Sequence, residues 1–346
     1  MAVRMTVPVT ILTGFLGSGK TTLVNRILRE PMGERIAVIE NEYGAVGVDA
    51  EFLASSGEET IIQLENGCLC CTVRGDLARA LHELARQASE KRVEFERVLI
   101  ETTGLADPGP IIQTFLAETA VESMFHLDGV VTVVDAKHAV AQSEHLEFRA
   151  QLAYADRIVV SKTDLLEEGP EQEIDSWLST WNPRAPVIAC NLHEAEMQAL
   201  SDHLFQIRGF AVDYVPPEEV GRALRGQVWG EMDGRWRRVG ASHTNDVSSC
   251  VFSAQEPLSL ESLNETLDML IQHYGDRLWR CKGIMQIQDH PARLILQGVQ
   301  GLIQIGGGML WRPFEPRRTV LVFIGQALDA EHIQDALQAC VVTATA

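Results

Sequence analysis

An apolar run from Val7 to Leu12 leads into Gly14-Phe15-Leu16-Gly17-Ser18-Gly19-Lys20-Thr21-Thr22, and then into the helix-like Leu23-Val24-Asn25-Arg26-Ile27-Leu28. Strand, glycine loop and helix in that order match G-x-x-x-x-G-K-[ST], a loop whose backbone N–H groups turn inward around phosphate oxygens. Gly14, Gly17 and Gly19 supply the conformational freedom, with Ser18 and Thr22 completing the cradle. The following helix adds its positive end. Lys20 places a point charge near the β- and γ-phosphates, and Thr21 offers a hydroxyl to Mg²⁺. The expected fold is therefore α/β: a P-loop NTPase with a mostly parallel sheet and helices on both faces.

The rest of the first half can be read against such a sheet. Arg35-Ile36-Ala37-Val38-Ile39-Glu40-Asn41 is a short apolar run with polar ends, as expected of a buried parallel strand. It delivers the loop Glu42-Tyr43-Gly44-Ala45-Val46-Gly47-Val48-Asp49. Beside a phosphate loop, Glu42 and Asp49 become candidates for metal ligation or for sensing the nucleotide state. Thr60 to Leu64 predicts another strand, and Val73 to Glu90, with Leu77, Leu81, Leu84 and Ala88 at three- and four-residue steps, predicts a helix. Arg97-Val98-Leu99-Ile100 predicts a strand ending in Glu101-Thr102-Thr103-Gly104. There Glu101 is placed for Mg²⁺, and Gly104 lets its N–H approach the γ-phosphate with no side chain in the way.

Between these strands stands Cys68-Leu69-Cys70-Cys71. Three thiolates within four residues form most of a tetrahedral zinc site, given a bent backbone to aim the adjacent pair. The position just before a helix favours the thiolate form. The other cysteines, Cys190, Cys250, Cys281 and Cys340, are scattered singly. Seven cysteines spaced in this way do not make a secreted disulfide framework and suit a reducing compartment.

Gly129 to Asp135 and Arg157 to Val160 are two more β-branched runs, the second emptying into Ser161-Lys162-Thr163-Asp164. This resembles the N-K-x-D loop that reads guanine. Asp164 would accept from both donors on the base, which adenine lacks, while the Lys162 stem covers the ring. Ser161 stands in place of the usual asparagine and retains a hydroxyl that can bond a neighbouring loop. Glu171 to Trp181 predicts a helix and Pro186 to Ala189 the last strand of the domain.

Composition shifts near Tyr214-Val215-Pro216-Pro217, giving expected boundaries of 1–215 for the nucleotide domain, 216–245 for a linker and 246–346 for a second domain. There Ser248–Ser253, Leu278–Gln288, Arg293–Val299, 301–305 and 320–325 read as strands, and Leu258–His273 and Asp329–Cys340 as helices. Helices on one face of an antiparallel sheet give a smaller α+β domain, nearest to a ferredoxin-like arrangement. The formal charge of −19 disfavours nucleic acid and anionic lipid as partners. With no membrane-length apolar run and no leader pattern, the expected setting is the cytoplasm.

Together, G-F-L-G-S-G-K-T-T, N-E-Y-G (Asn41 to Gly44), N-G-C-L-C-C (Asn66 to Cys71), E-T-T-G and S-K-T-D resemble the CobW family of P-loop GTPases, relatives of UreG and HypB. Leu278-Trp279-Arg280-Cys281-Lys282-Gly283 and Val322-Phe323-Ile324-Gly325 extend the likeness into the second domain. The resemblance implies GTP hydrolysis with Mg²⁺, coupled to binding a transition metal, zinc or cobalt, and handing it to a client metalloprotein. It implies Cys68, Cys70 and Cys71 as metal thiolates with Glu42 as an additional ligand. Ala45 stands where many members carry an acid. A homo-oligomer is compatible with this reading. The competing interpretation is a small-molecule kinase or other NTPase with structural cysteines.

Overall fold

A computed structural model describes residues 6–30, 34–40, 61–63, 73–118, 121, 123–166, 171–210, 229–232, 235–238, 247–311 and 315–342. Two compact units emerge, one of Met1–Gln172 and Val187–Gly209, the other of Glu173–Pro186 and Phe210–Ala346. Residues 173–186 thus belong with the second unit although they precede the last strand of the first.

The first unit is built on β1 (Val7–Gly14), β2 (Ile36–Glu40), β3 (Ile61–Gln63), β4 (Arg97–Glu101), β5 (Phe125–Asp135), β6 (Arg157–Ser161) and β7 (Val187–Ala189), all parallel, in the order β3-β2-β4-β1-β5-β6-β7. Every residue of β4 and β6 is buried, the mark of strands covered on both faces. On one face Leu12, Val38, Leu99, Val131, Val133 and Val159 share a cluster with Leu23, Val24, Ile27 and Leu28 of α1 (Lys20–Arg29). Burying each such aliphatic side chain contributes about 1.5–3 kcal/mol. The alternate residues Ile11, Ile39 and Ile100 point the other way and are also fully buried. The helices between the strands are α2 (Val73–Ser89), α3 (Gly109–Ala117), α4 (Ala139–Gln142) and α5 (Leu146–Tyr154). The expected parallel sheet with helices is thus the observed one.

The strand order reverses direction at β1, which lies between β4 and β5. In open parallel sheets ligands bind outside the carboxyl ends of the strands at such a point. Gly14, Glu101, Asp135 and Ser161 are the last residues of β1, β4, β5 and β6, so one edge of the sheet collects them. At the opposite edge, Asp128 accepts from the N–H of Arg208 at Oδ1 (2.9 Å) and from the N–H of Gly209 at its carbonyl (2.5 Å), fixing the segment on which the unit ends.

The second unit includes most of α6 (Glu171–Trp181). After α7 (Met197–Leu204) of the first unit, the stretch 216–245, read as a linker, contains an antiparallel pair, β8 (Trp229–Met232) and β9 (Arg235–Arg238). The main sheet of the second unit comprises β10 (Val247–Ala254), β11 (Leu278–Met285), β12 (Ala292–Val299), β13 (Leu302–Leu310) and β14 (Thr319–Gln326), ordered β10-β14-β11-β12-β13 with antiparallel neighbours. Helices α8 (Leu260–Tyr274) and α9 (Ala330–Gln338) place Leu263, Leu267, Leu270, Ile333 and Leu337 against Cys250, Phe252, Cys281, Leu321 and Phe323. Ser259 caps α8 by accepting from the Ser262 N–H, and Asp329 caps α9 by accepting from Glu331 and His332. β10, α8 and β11 form a β-α-β unit split by β14, the arrangement at the heart of a ferredoxin-like domain. The β12–β13 hairpin extends the sheet beyond it, and α9 is followed by a single bridge from Val341 to Leu258.

Candidate functional site

The phosphate loop runs from Gly14 (φ 147°) through Gly17 (φ 73°) to Gly19 (φ 99°). At Gly14 the need for glycine is also steric: a Cβ would lie 2.3 Å from the carbonyl oxygen of Val133. Lys20 opens α1 and is only 8% exposed; its Nζ donates to the carbonyls of Gly14 (2.7 Å) and Phe15 (3.2 Å), arching across the loop. Burial pushes the Lys20 pKa down, with the nearby Glu101 carboxylate opposing. The first turn of α1 carries no acidic residue, so its positive end remains available to an anion.

Thr21 and Glu101 are 80 residues apart in sequence, yet the Thr21 hydroxyl donates to Glu101 Oε1 at 3.0 Å. The sheet brings them together because β4 pairs beside β1, its last residue Glu101 opposite Leu12, two residues before β1 ends at Gly14. A hydroxyl and a largely buried carboxylate beside a phosphate loop are hard oxygen donors that fit Mg²⁺. The Thr102 N–H donates to the Leu12 carbonyl (3.0 Å) and its hydroxyl to Thr13 Oγ1 (2.8 Å), locking E-T-T-G to the strand that feeds the phosphate loop. Beyond it, Ala106 N–H donates to the Thr103 carbonyl, closing a turn that places Gly104 directly against Leu16.

On the other side of β1, Ser161 is fully buried, and its hydroxyl lies 2.6 Å from the Ser18 carbonyl and 3.2 Å from that of Val134. The serine therefore ties the S-K-T-D segment to the phosphate loop. Lys162 sits at φ 58° and Asp164 lies exposed in a short 3-10 turn, Thr163–Leu165. Among the described residues the Asp164 carboxylate carries no hydrogen bond or ion pair that would compete with a base. Leu192 closes this side: a Cβ on Gly19 would lie 3.1 Å from Leu192 Cδ1, and Arg26 Nη1 donates to the Leu192 carbonyl at 2.5 Å.

Asp135 is a site residue that the motifs did not reveal. Its buried carboxylate accepts from Lys162 Nζ (2.7 Å), His138 Nδ1 (2.9 Å) and the backbone N–H groups of Lys137 (2.9 Å) and His138 (3.2 Å). Burial acts to raise its pKa, but the bonds from Lys162 and His138 outweigh that and hold it below the usual carboxylate range. It thereby steadies the lysine of the S-K-T-D segment. The available signal was positional: an acid ending the apolar run Gly129 to Val134, one strand from S-K-T-D.

Of the expected site residues, Gly14, Gly17, Ser18, Gly19, Lys20, Thr21, Thr22, Glu101, Gly104, Ser161, Lys162 and Asp164 all gather at this edge of the sheet. Glu42, Asp49, Cys68, Cys70 and Cys71 lie outside the described residues. Among the described residues no group of three or more His, Cys, Asp or Glu side chains could hold a metal ion. β2 and β3 end at this same edge, at Glu40 and Gln63, and Gln63 precedes Cys68 by five residues.

Comparison with known proteins agrees with the geometry. Residues 8–189 match the CobW/HypB/UreG nucleotide-binding domain, and residues 247–341 match the cobalamin synthesis protein cobW C-terminal domain. The chain is 37% identical over 331 residues to the zinc chaperone YjiA of Escherichia coli K12, covering 95% of this chain and 97% of that protein. It is 31% identical over 370 residues to the zinc chaperone CobW of Pseudomonas aeruginosa, covering 96% and 90%. Its fold superposes on the crystal structure of Zn(II)-bound YjiA GTPase from E. coli with a TM-score of 0.75 at 31% identity, covering 98% of this chain and all of that one. On its sequence, its fold and the arrangement of its phosphate loop, the chain belongs to the CobW/HypB/UreG family, with a CobW-type C-terminal domain.

Proposed function

We propose that this chain is a GTP-hydrolysing zinc metallochaperone that binds its metal through Cys68, Cys70 and Cys71 and releases it to a client metalloprotein under control of the nucleotide. GTPase activity and zinc handling are supported by kinship with YjiA and CobW. The observation that carries the nucleotide half is the Lys20–Thr21–Glu101 constellation, assembled from β1, α1 and β4. Asp164, exposed beside Lys162, is the proposed selector of guanine.

In hydrolysis, water attacks the γ-phosphorus and the bond to the oxygen bridging the β- and γ-phosphates breaks, giving GDP and inorganic phosphate. Lys20 and the loop N–H groups stabilise charge on the phosphate oxygens, and Gly104 donates its N–H to the γ-phosphate. Thr21 and Glu101 would hold Mg²⁺, which when bound would neutralise charge on the phosphate oxygens. Zinc is cargo. Thiolates suit both zinc and cobalt, and the names of the relatives favour zinc. The proposed setting is the cytoplasm, where thiols stay reduced; no described helix is long and apolar enough to cross a membrane.

The γ-phosphate is proposed to order the segments carrying Glu42, Asp49 and the cysteines, so that GTP tightens the grip on zinc and hydrolysis loosens it. Linkage then requires zinc to favour the GTP-bound state by the same factor. Zinc affinity measured with a non-hydrolysable GTP analogue and with GDP tests this directly. A coupling of about 1–3 kcal/mol, or 5- to 150-fold, is expected; equal affinities would sink the gating proposal. Loss of stoichiometric zinc binding in a Cys70→Ser, Cys71→Ser variant is expected, and unchanged stoichiometry would overturn the thiolate assignment.

A further inference from the structure

Gln151 lies on α5 with no exposed surface. Its backbone carbonyl accepts from the Thr132 hydroxyl at 2.7 Å, anchoring the helix to β5. Its side-chain amide, Nε2, donates to two carbonyls of a single turn, Gly104 at 3.2 Å and Ala106 at 3.0 Å. That turn, closed by Ala106 N–H and the Thr103 carbonyl, carries the Gly104 N–H. Gln151 Oε1, by contrast, is buried without a hydrogen-bond partner. Buried polar atoms are normally paired, so an amide with an orphaned oxygen is a poor choice for packing alone. Its donor end is the part the structure uses.

The same region of the chain grips the other wall of the phosphate site. Phe15 lies against His145, with ring centroids 4.9 Å apart, and against Phe148 of α5 at 6.1 Å. Gln142 of α4 donates to the Leu16 carbonyl at 3.4 Å. Leu16 is the residue that Gly104 touches. The phosphate-loop arm and the E-T-T-G turn are therefore both referenced to the α4–α5 segment, and Gln151 is the polar bolt for the turn.

We infer that Gln151 is a positioning residue for GTP hydrolysis: its amide fixes the Thr103–Ala106 turn so that the Gly104 N–H meets the γ-phosphate rather than swinging away from it. The inference needs no zinc, and rests on the assignment of Gly104 to the γ-phosphate. With the turn untethered, GDP, which lacks that phosphate, binds as before, GTP still docks through the phosphate loop and Asp164, and the hydrolytic step slows.

Two variants of the full chain test this. Gln151→Met keeps length and volume but removes the donor. Its kcat should fall about 10- to 100-fold, the scale of a misplacement near 1 Å, with GDP affinity within about twofold of the parent. Gln151→Glu turns ionised oxygens toward two carbonyls and should be equally slow at pH 8. Burial raises the pKa of that carboxyl, and once protonated it donates again, so the ratio of its kcat to that of the parent should climb as pH falls. A Met variant within twofold of the parent kcat, a parallel loss of GDP affinity, or a pH-independent ratio for the Glu variant would each overturn the inference. If the Met variant does not fold, the pH ratio decides.

Hydrogen exchange separates this failure from failure of the Gly104 assignment. In the parent, residues 102–106 should be protected more by a GTP analogue than by GDP. Equal protection removes Gly104 from the γ-phosphate. Differential protection that persists in a Met variant with normal kcat removes only Gln151.

Discussion

Replacing Gly104 by alanine probes the contact between the E-T-T-G turn and the phosphate-loop arm. Gly104 is not among the residues with positive φ, so alanine is compatible with its backbone and the effect is one of space. A Cβ there would stand 2.8 Å from both N and Cα of Leu16 and 2.6 Å from its Cδ2. The Leu16 side chain can rotate away, but its backbone cannot. Ordinary contact begins at 3.4 Å, so the two segments must part by 3.4 minus 2.8, or 0.6 Å. A displacement of that size costs about 1–3 kcal/mol as overpacking. Applied to the proposed γ-phosphate donor, it should lower the hydrolytic rate about 10- to 100-fold. Single-turnover GTP hydrolysis at saturating protein measures the chemical step, and GDP titration reports whether the phosphate loop survives. Gly307→Ala, at a site with nothing within 4 Å, is the matched control and should behave as the parent. A Gly104→Ala protein that hydrolyses GTP within threefold of the parent would refute the proposed role of this contact.

Asp164→Asn presents a donor where guanine needs an acceptor, and should move preference from GTP toward xanthosine triphosphate; competition between the two for a labelled nucleotide checks it, and an unmoved preference removes Asp164 as the base reader. His203, half-buried with Nε2 3.3 Å from the Ile158 carbonyl, has its pKa lowered to about 4 by burial and by Arg157. Below its unfolded value near 6.5 the unfolded chain takes up a proton that the native state resists. Stability therefore falls as pH drops from 6.5 toward 4, by about 1–3 kcal/mol after allowance for partial exposure. Urea unfolding at pH 6.5 and 4.5 should show a smaller loss in His203→Gln than in the parent; identical losses would contradict the assignment.

Much of the fold is legible in the chain because its signals are local. The strand at 36–40 and the helix at 73–89 follow from apolar runs and three- and four-residue steps. The α8 helix, expected over Leu258–His273, is observed at Leu260–Tyr274, its start fixed by the Ser259 cap. The β8–β9 hairpin was not legible, since Trp-Gly-Glu-Met and Arg-Trp-Arg-Arg carry too short an alternation to separate strand from connection. The assignment of residues 173–186 to the second unit was equally hidden. An amphipathic helix announces that it has an apolar face, but not which sheet will cover it.

The site divides in the same way. Phosphate binding could be read from G-x-x-x-x-G-K-[ST] because nine consecutive residues and their flanking elements determine the backbone cradle, and the place of Asp164, in the turn after a buried strand, could be read from the apolar run before it. Asp135 and Gln151 could not, because each acts on a partner distant in the chain: Asp135 on Lys162, Gln151 on Gly104 and Ala106. Sequence by itself determined which chemistry is available, since phosphate loop, thiolates and carboxylates are properties of residue type and short spacing. Only the parallel register of the sheet decided that Thr21 meets Glu101 and that Ser161 reaches Ser18. Those distances depend on where strands 80 and more residues apart come to end, and long-range pairing leaves no mark on any one stretch of the chain.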